Sequence, residues 1–108
     1  MIKRSDELKN WLVSELEKLK VNNVVVLDVA EKSDVTDFMI VATGRSSVHC
    51  RAVAENLKLS AKQKNIVALG IEGALQGEWV LIDFSSVIVH VMQEKTRDYY
   101  QLESLWTM

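Results

Sequence analysis

The sequence predicts an α/β fold of the α+β kind: one domain over residues 1–108, with a mixed five-stranded sheet flanked by about three helices. Three observations carry this. Some segments repeat apolar residues at helical spacing, while five short runs are rich in β-branched and apolar residues. The two kinds follow one another in the order α-β-β-α-β-β-β-α, which calls for a sheet with helices packed on its faces. A chain of 108 residues, 48% hydrophobic and 26% charged, has room for one core and the composition of a folded globular protein.

The first helix places Leu8, Trp11, Leu12, Leu16 and Leu19 along one face, with Ser5 as its N-cap, Asp6 and Glu7 at the positive end, and Asn22-Asn23 to close it. "VVVLDV" (Val24 to Val29) and "DFMIVAT" (Asp37 to Thr43) lack polar–apolar alternation and read as strands buried on both faces, joined by the polar loop "AEKSDVT". A second helix starts after Gly44-Arg45, with Ser46 as cap and Cys50, Val53, Leu57 and Ala61 on one face. "IVAL" (Ile66 to Leu69) is expected as a short strand reached by a crossover, hence beside a parallel neighbour. "WVLIDF" (Trp79 to Phe84) and "VIVHVM" (Val87 to Met92) stand at hairpin spacing around Ser85-Ser86. Tyr99, Leu102 and Trp106 then form the apolar stripe of a third helix. That tail is rich in aromatic side chains, which a frayed terminus rarely is.

Bulk features exclude several classes of function. No run of about 18 apolar residues is present to span a membrane. The opening "MIKRSDELKN" is charged and does not read as a secretory signal. A single cysteine, Cys50, precludes an internal disulfide and suits a reducing cytosol. A net charge of −2 argues against nucleic-acid binding by a basic surface. The charge is segregated, however. Between Asn65 and Glu94 there are four acids (Glu72, Glu78, Asp83, Glu94) and no Lys or Arg, whereas residues 45–64 carry five bases against Glu55. Sheet segments that simply hold few long charged side chains would give this pattern, as would an acidic face built for a basic partner.

Catalytic motifs are weak. His49 and Cys50 are adjacent on a helix and point in different directions, and Cys50 falls on the apolar face where a buried thiol is the default. His90 shares a strand face with Ile88 and Met92, the setting of a core histidine with a local hydrogen bond. No Cys/His/Asp cluster has metal-ligand spacing, and "GIEGALQG" lacks the Lys-Ser/Thr ending of a phosphate-binding loop. "TGRSS", between a strand and a helix, could offer backbone N–H groups to a phosphate. Two-metal nucleotidyl transfer would also need paired carboxylates, and Asp83 stands alone in its strand. What remains is a surface: Trp79, Leu81 and Asp83 on one strand face, either as core packing or as an interface anchor.

Taken together, "DVTDFMIVATGRSS", "GIEG", "WVLIDF", "VIVHVM" and "RDYYQLESLW" resemble the Iojap/ribosomal silencing factor family over about residues 5–106, most specifically from Trp79 to Trp106. The resemblance implies a nucleotidyltransferase-like fold without the catalytic carboxylates, no enzymatic activity and no cofactor. It implies binding to the large ribosomal subunit through the fourteenth large-subunit ribosomal protein, which sterically blocks joining of the small subunit and represses translation when nutrients are limited. It further implies a homodimer in the free state, little direct nucleic-acid contact, no membrane, and a bacterial, cytoplasmic setting. Carried to matching positions, it makes Trp79 the leading anchor and Asp83 its charged companion, with Tyr100, Leu102, Glu103 and Trp106 as further partner-binding positions. Leu102 and Trp106 are expected to pack inward and Tyr100 and Glu103 to face outward. The alternative reading is a nucleotide-binding protein or vestigial nucleotidyltransferase.

Overall fold

The computed structural model describes residues 4–107, with side chains through Trp106. Helix α1 (Ser5–Lys18) buries Leu8, Leu12 and Leu16, and Trp11 and Leu19 pack beside them. Arg4 rather than Ser5 takes the N-cap position, and the helix ends at Lys18, so the two asparagines open strand β1 (Asn22–Asp28) instead of closing the helix. Strand β2 (Phe38–Gly44) is buried along nearly its whole length, whereas β1 is largely open because it forms an edge. Helix α2 (Ser47–Gln63) begins as its sequence predicts: Ser46 Oγ accepts the His49 N–H at 3.1 Å, and Cys50, Val53, Leu57 and Ala61 are buried.

The third strand differs from expectation. β3 is Gly70–Glu72, not Ile66–Leu69, and it pairs antiparallel with β4 (Trp79–Asp83) rather than beside a parallel neighbour. Ile66 and Ala68 pack on the core while Val67 and Leu69 face solvent, so the segment alternates as a strand does. Its first backbone bond to the sheet, however, is Leu69 N–H to Asp83 O at 2.7 Å. β4 turns through Ser85 (φ 72°) into β5 (Val87–Gln93) as an antiparallel hairpin. The sheet order is β1-β2-β5-β4-β3, mixed because β2 and β5 run parallel.

The tail also departs from a single helix. α3 (Glu94–Tyr100) and α4 (Leu102–Thr107) are separated by Gln101, whose φ of 51° lies in the left-handed region. That break resets the helical phase. Leu102 is buried and Trp106 packs beside it, but Tyr99, expected on the same stripe, is 80% exposed.

The register divides the sheet into two faces. Ile40, Val80, Ile82, Val87, Val89 and Val91 meet α1 and α2 in the larger core. On the other face Leu27, Met39, Val41 and Met92 meet Leu102, with Trp106 and Trp79 at the border. The short tail helices cover only part of this second face, which leaves the β4–β3 side open.

Candidate functional site

The uncovered half-face is built by strand alternation. Trp79, Leu81 and Asp83 project from β4 on the side away from α1 and α2, and their β5 partners are Met92, His90 and Ile88. On β3, Glu72 lies opposite Leu81 and Gly70 opposite Asp83. The three β4 residues are half-buried, while Val80 and Ile82 between them are fully buried in the larger core. Glu72, Gly73, Trp79 and Leu81 line a groove of about 300 Å³, and Gly73, at a φ of +82°, leaves no room for a β-carbon, which would collide with the Trp79 carbonyl oxygen.

The aromatic tail borders this face. The Trp79 and Tyr100 ring centroids are 5.0 Å apart at a tilt of 52°, and Tyr99 meets Tyr100 edge-on at 4.9 Å. Tyr100 remains 53% exposed, so it supports the indole without covering the groove. Beneath them the Trp79 Nε1–H donates to His90 Nδ1 at 2.9 Å. His90 is the core histidine with a local bond that its strand position predicts, and burial pulls its pKa down to about 4. Its imidazole is therefore neutral near pH 7, with Nδ1 as the acceptor.

Asp83 accepts the Ser85 N–H at 2.7 Å, so the carboxylate both shapes the hairpin turn and stands on the open face. Glu103 does not point freely outward as expected. Its Oε2 pairs with Arg97 Nη2 at 3.3 Å, and its Oε1 is buried with no partner among the described residues. Leu102 and Trp106 lie beneath the tail, not on the groove. Of the six positions selected from sequence, the structure thus brings Trp79 and Tyr100 together and places Asp83 on the same face, while Leu102, Glu103 and Trp106 hold the tail against the sheet.

Arg97 is the residue that sequence reasoning missed. It is 9% exposed, and its Nη1 donates to the Asn23 carbonyl at 2.6 Å and to Thr43 Oγ1 at 2.9 Å, while Nε reaches Glu103 Oε2 at 3.3 Å. One guanidinium therefore ties α3 and α4 to β1 and β2. No regular spacing links Arg97 to Glu103, because the left-handed break lies between them; the only signal was an arginine and a glutamate bracketing the two tyrosines.

The other candidate, the "TGRSS" turn, is occupied by the chain itself. The Arg45 N–H donates to His49 Nδ1 at 2.9 Å and the His49 N–H goes to Ser46 Oγ, which removes two of the backbone donors an anion would use. Gly77 (φ +73°) approaches so closely that a Cβ there would stand 2.6 Å from the Ser47 Cβ. Arg51 secures this loop by donating to the Ala74 and Leu75 carbonyls at 3.3 and 3.1 Å. Cys50 is fully buried and desolvation raises its pKa, the opposite of what a reactive thiolate requires. Among the described residues no group of three or more His, Cys, Asp or Glu side chains could hold a metal ion, and no helix is long and apolar enough to cross a membrane.

Fold and site define a class: a small α+β protein with a mixed five-stranded sheet, sealed by helices on one side and presenting an aromatic, acid-flanked half-face on the other. The family described as "Ribosomal silencing factor during starvation" matches residues 2–108. A Haemophilus influenzae protein named ribosomal silencing factor RsfS is 40% identical over 99 residues, which cover 92% of this chain and 97% of that one. A crystal structure of a Chromobacterium violaceum protein superimposes with a TM-score of 0.93 at 36% identity, covering 96% of this chain and 87% of that one. A mouse protein named mitochondrial assembly of ribosomal large subunit protein 1 is 31% identical over 102 residues, 92% of this chain and 45% of its own length. The chain belongs to the ribosomal silencing factor family. Its expected membership is borne out.

Proposed function

We propose that this protein docks on the large ribosomal subunit through the open half-face around Trp79 and, by occupying the surface that meets the small subunit, keeps the subunits apart. The observation that carries the reading is the pairing of half-buried Trp79 with exposed Tyr100 beside Glu72 and Asp83. Indoles and phenols buried at the centre of an interface dominate binding energy, and the two carboxylates suit a basic ribosomal protein, the fourteenth of the large subunit. The name of the mouse relative, which refers to the large ribosomal subunit, supports the choice of subunit. Silencing of this kind needs bulk at the right place and no bond made or broken, so the protein acts without catalysis or cofactor. It acts in the cytosol when nutrients are limited, with little direct contact to nucleic acid. As a free protein it is a homodimer. Residues 1–108 act as one domain, in which Trp79, Asp83 and Tyr100 meet the partner while Leu102, Glu103 and Trp106 hold the tail against the sheet.

Binding of purified large subunits to the wild type and to Trp79→Ala tests the site. The variant is expected to lose about 2 kcal/mol or more of binding free energy, the scale of a hot spot. Unchanged affinity in a folded variant would remove Trp79 from the interface.

A further inference from the structure

The Trp79 indole turns its polar edge inward. The bond from Nε1–H to His90 Nδ1 crosses the β4–β5 pair diagonally, because Trp79 stands opposite Met92 and His90 opposite Leu81. Diagonal neighbours lie within reach of large side chains, but the ladder itself does not force their contact. His90 is 3% exposed and its Nε2 is a buried polar atom with no partner among the described residues. Burying an imidazole with one nitrogen unpaired costs stability, and an apolar side chain on this strand face would avoid that cost. The compensating feature is the other nitrogen, which is spent on the indole.

We propose that His90 is a positioning residue for docking: it holds the Trp79 ring in a single orientation, braced by Tyr100, so that the carbon surface of the indole forms the wall of the groove beside Glu72. This rests on the docking role given above to Trp79. The bond also determines what the partner meets. With its N–H already satisfied, the indole offers a π surface rather than a donor, and Glu72 lines the same groove. The complementary group is a long cationic side chain, Lys or Arg, with its methylene stem on the ring and its head toward the carboxylate. Without the His90 acceptor the indole N–H needs a new partner, and the ring turns toward water to find one.

The test compares His90→Phe, which keeps a ring but removes the acceptor, with His90→Asn, which returns an acceptor near the position of Nδ1. His90→Leu serves as a second acceptorless variant should the phenylalanine fail to fold. Two readouts are needed: affinity for purified large subunits, and the indole N–H resonance of Trp79, assigned by its absence in Trp79→Ala. The acceptorless variants are expected to shift that resonance and to bind about tenfold more weakly, since misorienting an anchor forfeits much of its contribution. His90→Asn is expected to recover most of both. Wild-type affinity in a folded acceptorless variant, alongside weak binding by Trp79→Ala, overturns the positioning role and leaves the docking face standing. Normal binding by Trp79→Ala overturns both. Equal loss in the asparagine variant with an unmoved indole resonance shows that His90 acts through something other than the bond.

Discussion

Truncating Arg97 should detach the C-terminal helices from the sheet. In Arg97→Ala the Asn23 carbonyl and Thr43 Oγ1 lose the Arg97 donor, and Glu103, whose Oε1 has no partner among the described residues, loses the guanidinium that Oε2 pairs with. Removing one partner of a buried ion pair costs about 3–5 kcal/mol. The Glu103 side chain is 31% exposed, so water recovers part of this, and the expected loss is about 3 kcal/mol. Urea unfolding followed by tryptophan fluorescence measures it directly, because Trp79 and Trp106 both lie at the border of the cluster that α4 closes. A double-mutant cycle with Glu103→Ala should return a coupling of at least about 1 kcal/mol, as expected for contacting charges. A loss under about 1 kcal/mol in Arg97→Ala, with additive single variants, would refute the view that this guanidinium fastens the tail.

Three other outcomes follow from the geometry. His90 holds its pKa at about 4 against an ordinary 6.5, so the unfolded chain takes up this proton first as the pH falls. The stability it supports is complete above about pH 6.5 and is lost toward pH 4, by about 3 kcal/mol in all, and denaturant titrations of wild type and His90→Asn across that range should diverge accordingly. Gly77→Ala forces a β-carbon onto the Ser47 backbone at a left-handed φ, and thermal unfolding should show a loss of about 2 kcal/mol or more. Trp106→Ala empties part of the smaller core without touching the groove, so it should cost about 2 kcal/mol of stability, read as a lower Tm, and leave large-subunit affinity unchanged in the folded protein. Lost affinity at normal stability would place Trp106 in the interface.

The legible parts of the structure were those governed by local periodicity. The Ser46 cap and the Cys50–Ala61 stripe of α2 depend on neighbours within a few residues, and the β4–β5 hairpin on alternation around one short turn. The same alternation places Trp79, Leu81 and Asp83 on one face. The parts that escaped depend on distant partners. Ile66–Leu69 has strand composition, but pairing starts only where the chain comes alongside Asp83, and the strand falls on the glycine-flanked "GIE". The tail was expected to be one helix because nothing in "YYQLES" announces a left-handed Gln101; what the break makes possible is the Arg97–Glu103 pair, which an unbroken helix would orient differently. That break puts Tyr99, on α3, out of phase with Leu102 and Trp106 on α4.

The central claim is occlusion, and a subunit-joining experiment tests it most directly. Purified large subunits are incubated with increasing amounts of the protein, small subunits are added, and the mixture is resolved on a sucrose gradient. The account predicts that the protein travels with the large-subunit peak and that the joined-ribosome peak falls as protein approaches equimolarity with large subunits, with Trp79→Ala much less effective. A full joined-ribosome peak with the protein still bound to large subunits would contradict occlusion, and absence of the protein from the large-subunit peak would contradict the docking face itself.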